Sequence, residues 1–166
     1  TILDIGTGSG CIPITLFLEG KFSIVDATDV SQSATKTAIK NAELLKAKIE
    51  VEVHDILTQV PKELYDIVVS NPPYVKREEL EALDKNVIEY EPVIALAPES
   101  DDPLLFYIRM VEIAPKMIKP KGILYWEIHE DLGPECVAIL EGGGFEQVEL
   151  KEDIYGRNRM IRAVLA

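Results

Sequence analysis

Only two cysteines, Cys11 and Cys136, occur in the 166 residues. They lie far apart in sequence and lack metal-ligand spacing, so both read as small buried hydrophobes; no disulfide and no metal site are expected. No run of about 18 apolar residues is present, which excludes a transmembrane helix. Nor does the chain open on a basic-then-apolar segment of the signal-peptide kind. The expectation is a soluble, cytoplasmic protein. Positive charge is also scarce, with 17 basic against 29 acidic residues and a formal net charge of −12. Non-specific nucleic-acid affinity comes mainly from Lys and Arg displacing counterions, so this balance counts against direct nucleic-acid binding. The basic residues are scattered, and "KPK" at Lys119 to Lys121 reads as a solvated turn. Internal repeats and low-complexity segments are absent.

What is present is ordinary globular composition, 47% hydrophobic and 28% charged, in a length suited to one domain with a real core. Apolar runs alternate with helical periodicity. "TILDI" predicts a strand ending in glycines, "CIPITLFLEG" a helix, and "FSIVDATD" a strand. "SQSATKTAIKNAELLK" predicts a helix with Ser31 as N-cap, and "IEVEVHD" and "YDIVVS" two more strands, the second buried on both faces. The rhythm breaks over residues 71–103, an irregular insertion expected to form a substrate-side loop. It resumes with a helix over "PLLFYIRMVEIAPKMI", with Pro103 at its first position after Asp102, and a strand over "KGILYWEI". "GPECVAILEGGG" predicts a last helix, and "FEQVEL" and "RMIRAVLA" a closing pair of strands. The fold class is α/β: a doubly wound, mostly parallel seven-stranded sheet, Rossmann-like, with the last strand antiparallel. In such folds ligands sit outside the carboxyl ends of the strands.

Four of those strand ends are polar or glycine-rich. In "DIGTGSG", Gly6, Gly8 and Gly10 permit positive φ and close backbone approach, and the following helix start offers unpaired N–H groups. Glycine spacing alone also suits NAD, FAD or a structural turn. Asp4, ahead of the first glycine, adds an acid that can bond to loop N–H groups or to an ammonium. Asp29, about 20 residues on, is placed to accept both ribose hydroxyls, whereas Asp26 lies two residues too early. Asp55 could accept from an exocyclic adenine amine, and Ile56 could pack on the ring. Three carboxylates around a nucleoside leave little room for pyrophosphate. They suit a cationic sulfonium ligand, which points to S-adenosylmethionine.

The fourth strand ends in "SNPPY". The Asn71 carboxamide oxygen and the Pro72 carbonyl are acceptors, and neither Pro72 nor Pro73 offers an N–H, so the corner can recognise an NH₂ group. A planar amide or aryl amine is a poor nucleophile because its lone pair is delocalised. Accepting both its hydrogens favours the pyramidal nitrogen that forms as it attacks a methyl group. Tyr74 can stack on the target's planar group and fix the approach. The alternative is a rigid turn that merely ends the strand.

"DIGTGSG" followed by "SNPPY" resembles the class I methyltransferases that modify planar amino nitrogens. "NPPYV" with "EPVIALAP", and the tail "DIYGRNRMIRAVL", resemble more narrowly the HemK/PrmC family of release-factor glutamine N5-methyltransferases, across essentially the whole chain. The resemblance implies methyl transfer from S-adenosylmethionine to the glutamine amide of the Gly-Gly-Gln motif in peptide-chain release factors. It assigns the cofactor to Asp4, Gly6, Thr7, Gly8, Ser9, Gly10, Asp29, Asp55 and Ile56, with Asn71 at the junction. It assigns amide binding and catalysis to Asn71, Pro72 and Tyr74, with Pro73 in the substrate corner. Ile56 stands where some relatives place an aromatic ring. Members of that family carry a helical N-terminal domain, whereas this chain begins inside its first strand, so a catalytic fragment is expected.

Other residues read more plainly. His54 and His129 are expected to be hydrogen-bonded rim residues, and Glu127 a structural hydrogen-bonding group that could line the pocket. Glu91 and Pro92 are expected to support the "NPPY" corner, and "REELEALDK" to form a solvated helix face. The same corner would serve an adenine-N6 or guanine-N2 nucleic-acid methyltransferase, against which the charge and "EPVIAL" tell. A non-catalytic S-adenosylmethionine-binding module would have no use for an amine-accepting corner. An NAD-dependent oxidoreductase is disfavoured by Asp4.

Overall fold

The computed structural model describes residues 1–20, 22–75, 96 and 102–166. The "EPVIALAP" and "REELEALDK" segments, with Glu91 and Pro92, lie outside the described residues except for Leu96. Among the described residues seven strands form one sheet: β1 (Ile2–Ile5), β2 (Val25–Asp29), β3 (Glu50–Val53), β4 (Tyr65–Ser70), β5 (Ile118–Glu127), β6 (Phe145–Glu152) and β7 (Asn158–Leu165). Their order is β3-β2-β1-β4-β5-β7-β6. β7 runs antiparallel to both β5 and β6, while β1 to β5 pair in parallel. The expected doubly wound sheet with an antiparallel final strand is the one observed.

The order explains the layering. From β1 the chain steps outward to β3, and from β4 it steps in the opposite direction. Right-handed crossovers therefore place α1 (Cys11–Glu19) and α2 (Gln32–Leu45) on one face and α3 (Leu105–Met117) and α4 (Gly133–Gly142) on the other. The larger core lies under α3 and α4, where Leu3, Ile5 and Val68 meet Tyr107, Met110, Met117, Trp126 and Leu140. Each such apolar side chain, fully buried, contributes about 1.5–3 kcal/mol. A smaller cluster of Ile14, Ala42 and Ala47 packs α1 against α2.

Local chemistry sets the helix ends. Ser31 caps α2 as expected, its hydroxyl accepting the Ala34 N–H at 3.3 Å. α3 starts later than expected, at Leu105, because Asp102 accepts the Leu104 N–H at 2.9 Å and holds Pro103 in a preceding turn. β5 begins three residues before the expected strand, at Ile118, and kinks at Lys121, whose φ is 64°. "KPK" is thus part of a strand: Lys119 pairs with Asp66 at 2.9 Å and Lys121 with Glu146 at 3.6 Å. β4 differs too. Val68 and Ser70 are buried, but Ile67 and Val69 are only half-buried, although their β1 partners Ile2 and Asp4 are fully buried on the same face.

Cys136 is fully buried and Cys11 exposed, both as free thiols. Cys11 corrects the sequence expectation: as the first residue of α1 it points out of the helix start, with its sulfur 3.1 Å from the Ser9 hydroxyl. No helix among the described residues is long and apolar enough to cross a membrane.

Candidate active site

Parallel pairing brings the carboxyl ends of β1, β2, β3 and β4 to one rim, with Ile5 level with Thr28 and Ser70. Beyond Ile5 the chain turns sharply. The N–H groups of Gly6 and Thr7 both donate to the Thr28 carbonyl, at 2.8 and 3.0 Å, which ties the loop to the end of β2. Gly6 has φ +75°, and a Cβ built there would lie 3.8 Å from the Asn71 backbone oxygen. The glycine loop and the "NPPY" corner are therefore neighbours in space, 65 residues apart in sequence.

Gly10, at φ +83°, starts α1. A Cβ at Gly10 would stand 3.0 Å from the Ala38 Cβ and 3.2 Å from its Cα, so glycine is needed both for the conformation and for α2's close approach. Gly10 supplies no side-chain cap to α1. The loop is braced on its far side by Asn41, whose amide donates to the Ser9 carbonyl at 2.9 Å.

Asp29 ends β2 with its carboxylate turned into this loop. One oxygen accepts the Gly8 N–H at 2.8 Å and the other the Ser31 N–H at 2.8 Å. A carboxylate has roughly four acceptor sites, so two remain for hydroxyl donors. Asp26 is committed elsewhere: it accepts the Tyr65 hydroxyl at 2.8 Å.

Asp4 is 0% exposed, and neither of its oxygens has a hydrogen-bond partner among the described residues. Burial pushes its pKa up to about 7; the nearby Thr7 hydroxyl, which lacks hydrogen-bond geometry, pulls it down, and the Asp29 charge pushes it further up. Such a buried acid without a partner is costly unless something positively charged or donating approaches it.

Asp55 follows β3 and holds its own turn, accepting from the Leu57 N–H at 3.0 Å and the Thr58 hydroxyl at 2.8 Å. Ile56, 6% exposed, is part of the larger core, and its carbonyl accepts from the Arg109 guanidinium at 3.1 Å. His54 reaches Asp29 through its backbone N–H, at 2.9 Å. Contrary to the expected hydrogen-bonded rim residue, its ring Nε2 has no partner among the described residues, and burial pushes its pKa down.

The fourth rim segment is anchored at both ends. The Ser70 hydroxyl donates to the Ile5 carbonyl at 2.8 Å, and the Val75 N–H to the Leu96 carbonyl at 2.9 Å. Between them Asn71 is exposed, Pro72 buried, and Pro73 and Tyr74 half-buried. The Tyr74 hydroxyl donates to Glu127 Oε1 at 2.6 Å, and its ring meets that of His129 edge-on at 6.2 Å. Burial, and next the Glu127 hydrogen bond, push the Tyr74 pKa up to about 12, with Arg159 opposing. His129 caps a single 3-10 turn, Glu130–Leu132, its Nδ1 accepting the Asp131 N–H at 3.2 Å.

Of the residues singled out in sequence, Asp4, Thr7, Ser9 and the glycines lie on the β1 side of one rim, Asp29 and Asp55 beyond, and Asn71 to Tyr74 next to Gly6, whereas Ile56 is buried in the core beneath it. Sequence reasoning left Glu127 without a partner. The signal that could have found one is its place as the last residue of the strand neighbouring β4, one strand from Tyr74.

A release factor glutamine methyltransferase of Flavobacterium psychrophilum is 47% identical over 97% of this chain and 57% of its own length. One of Bacteroides thetaiotaomicron is 38% identical over 98% and 59%. The chain therefore spans under two thirds of the curated relatives it matches. Among solved structures, the N-methyltransferase NodS of Bradyrhizobium japonicum in complex with S-adenosyl-l-homocysteine superposes with a TM-score of 0.61 at 17% identity, covering 99% of this chain and 76% of that one. The methyltransferase small domain family matches residues 1–92, the half that contains the glycine loop, the strand-end acids and the "NPPY" corner, and the chain belongs to that family.

Proposed function

We propose that the chain is the catalytic domain of a protein glutamine N5-methyltransferase, using S-adenosylmethionine to methylate the Gly-Gly-Gln glutamine of peptide-chain release factors. The observation that carries this reading is the juxtaposition of Gly6 and the Asn71 backbone, which sets an amide-accepting corner against a glycine loop. The names of the relatives supply the protein substrate, and their greater length leaves room for a substrate-binding domain outside residues 1–166.

The residues present fit the cofactor. Asp4 is a buried carboxylate with no partner among the described residues, suited to a cationic ligand, and Asp29 keeps free acceptor sites for a diol. When bound, S-adenosylmethionine supplies an electrophilic methyl group on a sulfonium sulfur. The turn from Gly6 to Gly10, its Gly6, Thr7, Gly8 and Gly10 N–H groups already held by Thr28, Asp29 and Thr7, would let that ligand approach the backbone closely, with Thr7 and Ser9 at its edge. Asp55 would accept from the adenine amine, with Ile56 in the core behind it.

On the other side, the Asn71 side-chain oxygen and the Pro72 carbonyl accept the two hydrogens of the target amide. Those bonds strengthen as the nitrogen becomes pyramidal, so they lower the barrier more than they tighten substrate binding. Pro73 removes a competing donor, and the Tyr74 ring restricts the approach angle. No residue has to remove the proton before transfer, since the nitrogen sheds it to solvent once alkylated.

The test uses the full-length protein with S-adenosylmethionine labelled in the methyl group, and with release factor and duplex DNA competing in one reaction. Label in the release factor, lost when its Gly-Gly-Gln glutamine is replaced and when Asn71→Ala is used, supports the reading. Label in the DNA would assign the same corner to a nucleobase amine and overturn the protein substrate.

A further inference from the structure

We infer that Glu127 is a positioning residue for Tyr74: its carboxylate receives the Tyr74 hydroxyl and sets the plane of the ring beside the Asn71–Pro72 corner. The inference deepens the proposed reaction and rests on it for its kinetic consequence.

The two partners differ in how firmly each is held. Tyr74 lies in the irregular segment after β4, where no ladder fixes the backbone. Glu127 is the last residue of β5, a strand paired on both sides, with Ser70 level with Trp126 on one edge and Met160 level with Glu127 on the other. Its carbonyl accepts the Tyr107 hydroxyl at 3.1 Å, and Tyr107 is fully buried with its ring edge-on to Trp126 at 5.0 Å. The acceptor is therefore the member held in the sheet ladder, whereas Tyr74 sits between the Ser70 and Val75 anchors.

A 2.6 Å bond to a carboxylate is short and charge-assisted, the strong kind of hydrogen bond. Together with the edge contact on His129 it restrains both the ring's position and its tilt. A phenol is already protonated at physiological pH, and burial, with this hydrogen bond next, pushes the Tyr74 pKa further up; the role inferred for Tyr74 is that of its ring face. A ring that must meet a planar amide at one angle loses rate steeply when its tilt is free, since small misplacements cost up to about a hundredfold.

Four forms of the full-length protein test this: Glu127→Ala, Glu127→Gln, Tyr74→Phe, and the Tyr74→Phe/Glu127→Ala double variant. Single-turnover methyl transfer at saturating cofactor is expected to fall by about tenfold in Glu127→Ala, with unchanged cofactor Kd. Glu127→Gln, which keeps an acceptor oxygen, should recover most of the rate. The double variant should be no slower than the slower single, because both changes remove one interaction. A wild-type rate in Glu127→Ala, or additive losses in the double variant, would overturn the inference and leave the proposed function standing. Failure of the wild type to methylate glutamine would instead overturn that function. The tether itself is then decided by the ¹⁹F resonance of 3-fluorotyrosine placed at position 74: a shift in Glu127→Ala but not in Glu127→Gln supports it, and no shift in either overturns it.

Discussion

Asp29 binds the backbone of Gly8 at 2.8 Å, with its second oxygen on the Ser31 N–H at the same distance. One carboxylate thus fixes the glycine loop after β1 to the start of α2. Replacing it by alanine removes two charge-assisted acceptors and the proposed seat of a ribose. Asp29→Ala is expected to weaken S-adenosylmethionine binding by about tenfold to a hundredfold, the equivalent of ~1.5–3 kcal/mol. Isothermal titration on the full-length protein measures it.

Asp4 gives the site a pH dependence whose sign can be worked out. Its folded-state pKa, about 7, lies above its ordinary value of 3.8 because the carboxyl is buried. Between those values the native state binds more protons than the unfolded chain, so Asp4's contribution makes stability fall as pH rises from about 4 to 7. A cationic ligand favours the ionised form, so S-adenosylmethionine affinity should rise as pH increases toward and past 7, with proton release on binding at pH 6. Asp4→Asn is expected to flatten both profiles. Denaturant midpoints and binding titrations from pH 5 to 8 read them out.

Gly10→Ala tests the packing of α1 against α2. The new methyl would meet the Ala38 Cβ and Cα, and the backbone at φ +83° is one that L residues rarely adopt. The left-handed conformation alone costs roughly 1–2 kcal/mol, and contact with a backbone atom adds to it. A melting temperature lowered by several degrees is the expected outcome, with Gly8→Ala, which meets nothing within 4 Å, paying only the conformational part.

Much of the fold was legible because its signals were local and periodic. The apolar residues of "ILDI" and "YDIVVS", each run followed by a polar corner, locate strands and rim together. Asp29 was legible as an acid at a strand end near a glycine loop. What was not legible depended on neighbours in space. The half-burial of Ile67 and Val69 depends on what covers β4 in space, since their β1 partners Ile2 and Asp4 are fully buried. The exposure of Cys11 follows from its place at a helix start, and the burial of Ile56 from the core beneath the turn. The Tyr74–Glu127 bond joins residues 53 apart, and no pattern in either segment announces the other.

In the proposed reaction the rim divides its labour between Asp29, assigned to the cofactor, and Asn71, assigned to the amide. The most direct test is to measure cofactor Kd and single-turnover methyl transfer to release factor side by side, for Asn71→Ala and Asp29→Ala in the full-length protein. Asn71→Ala is expected to lose about a hundredfold to a thousandfold in transfer with cofactor Kd nearly unchanged, the size of effect seen when one transition-state hydrogen bond is removed. Asp29→Ala is expected to lose cofactor affinity and to recover most of its transfer rate at saturating cofactor. Equal loss of cofactor binding in the two variants would contradict that division.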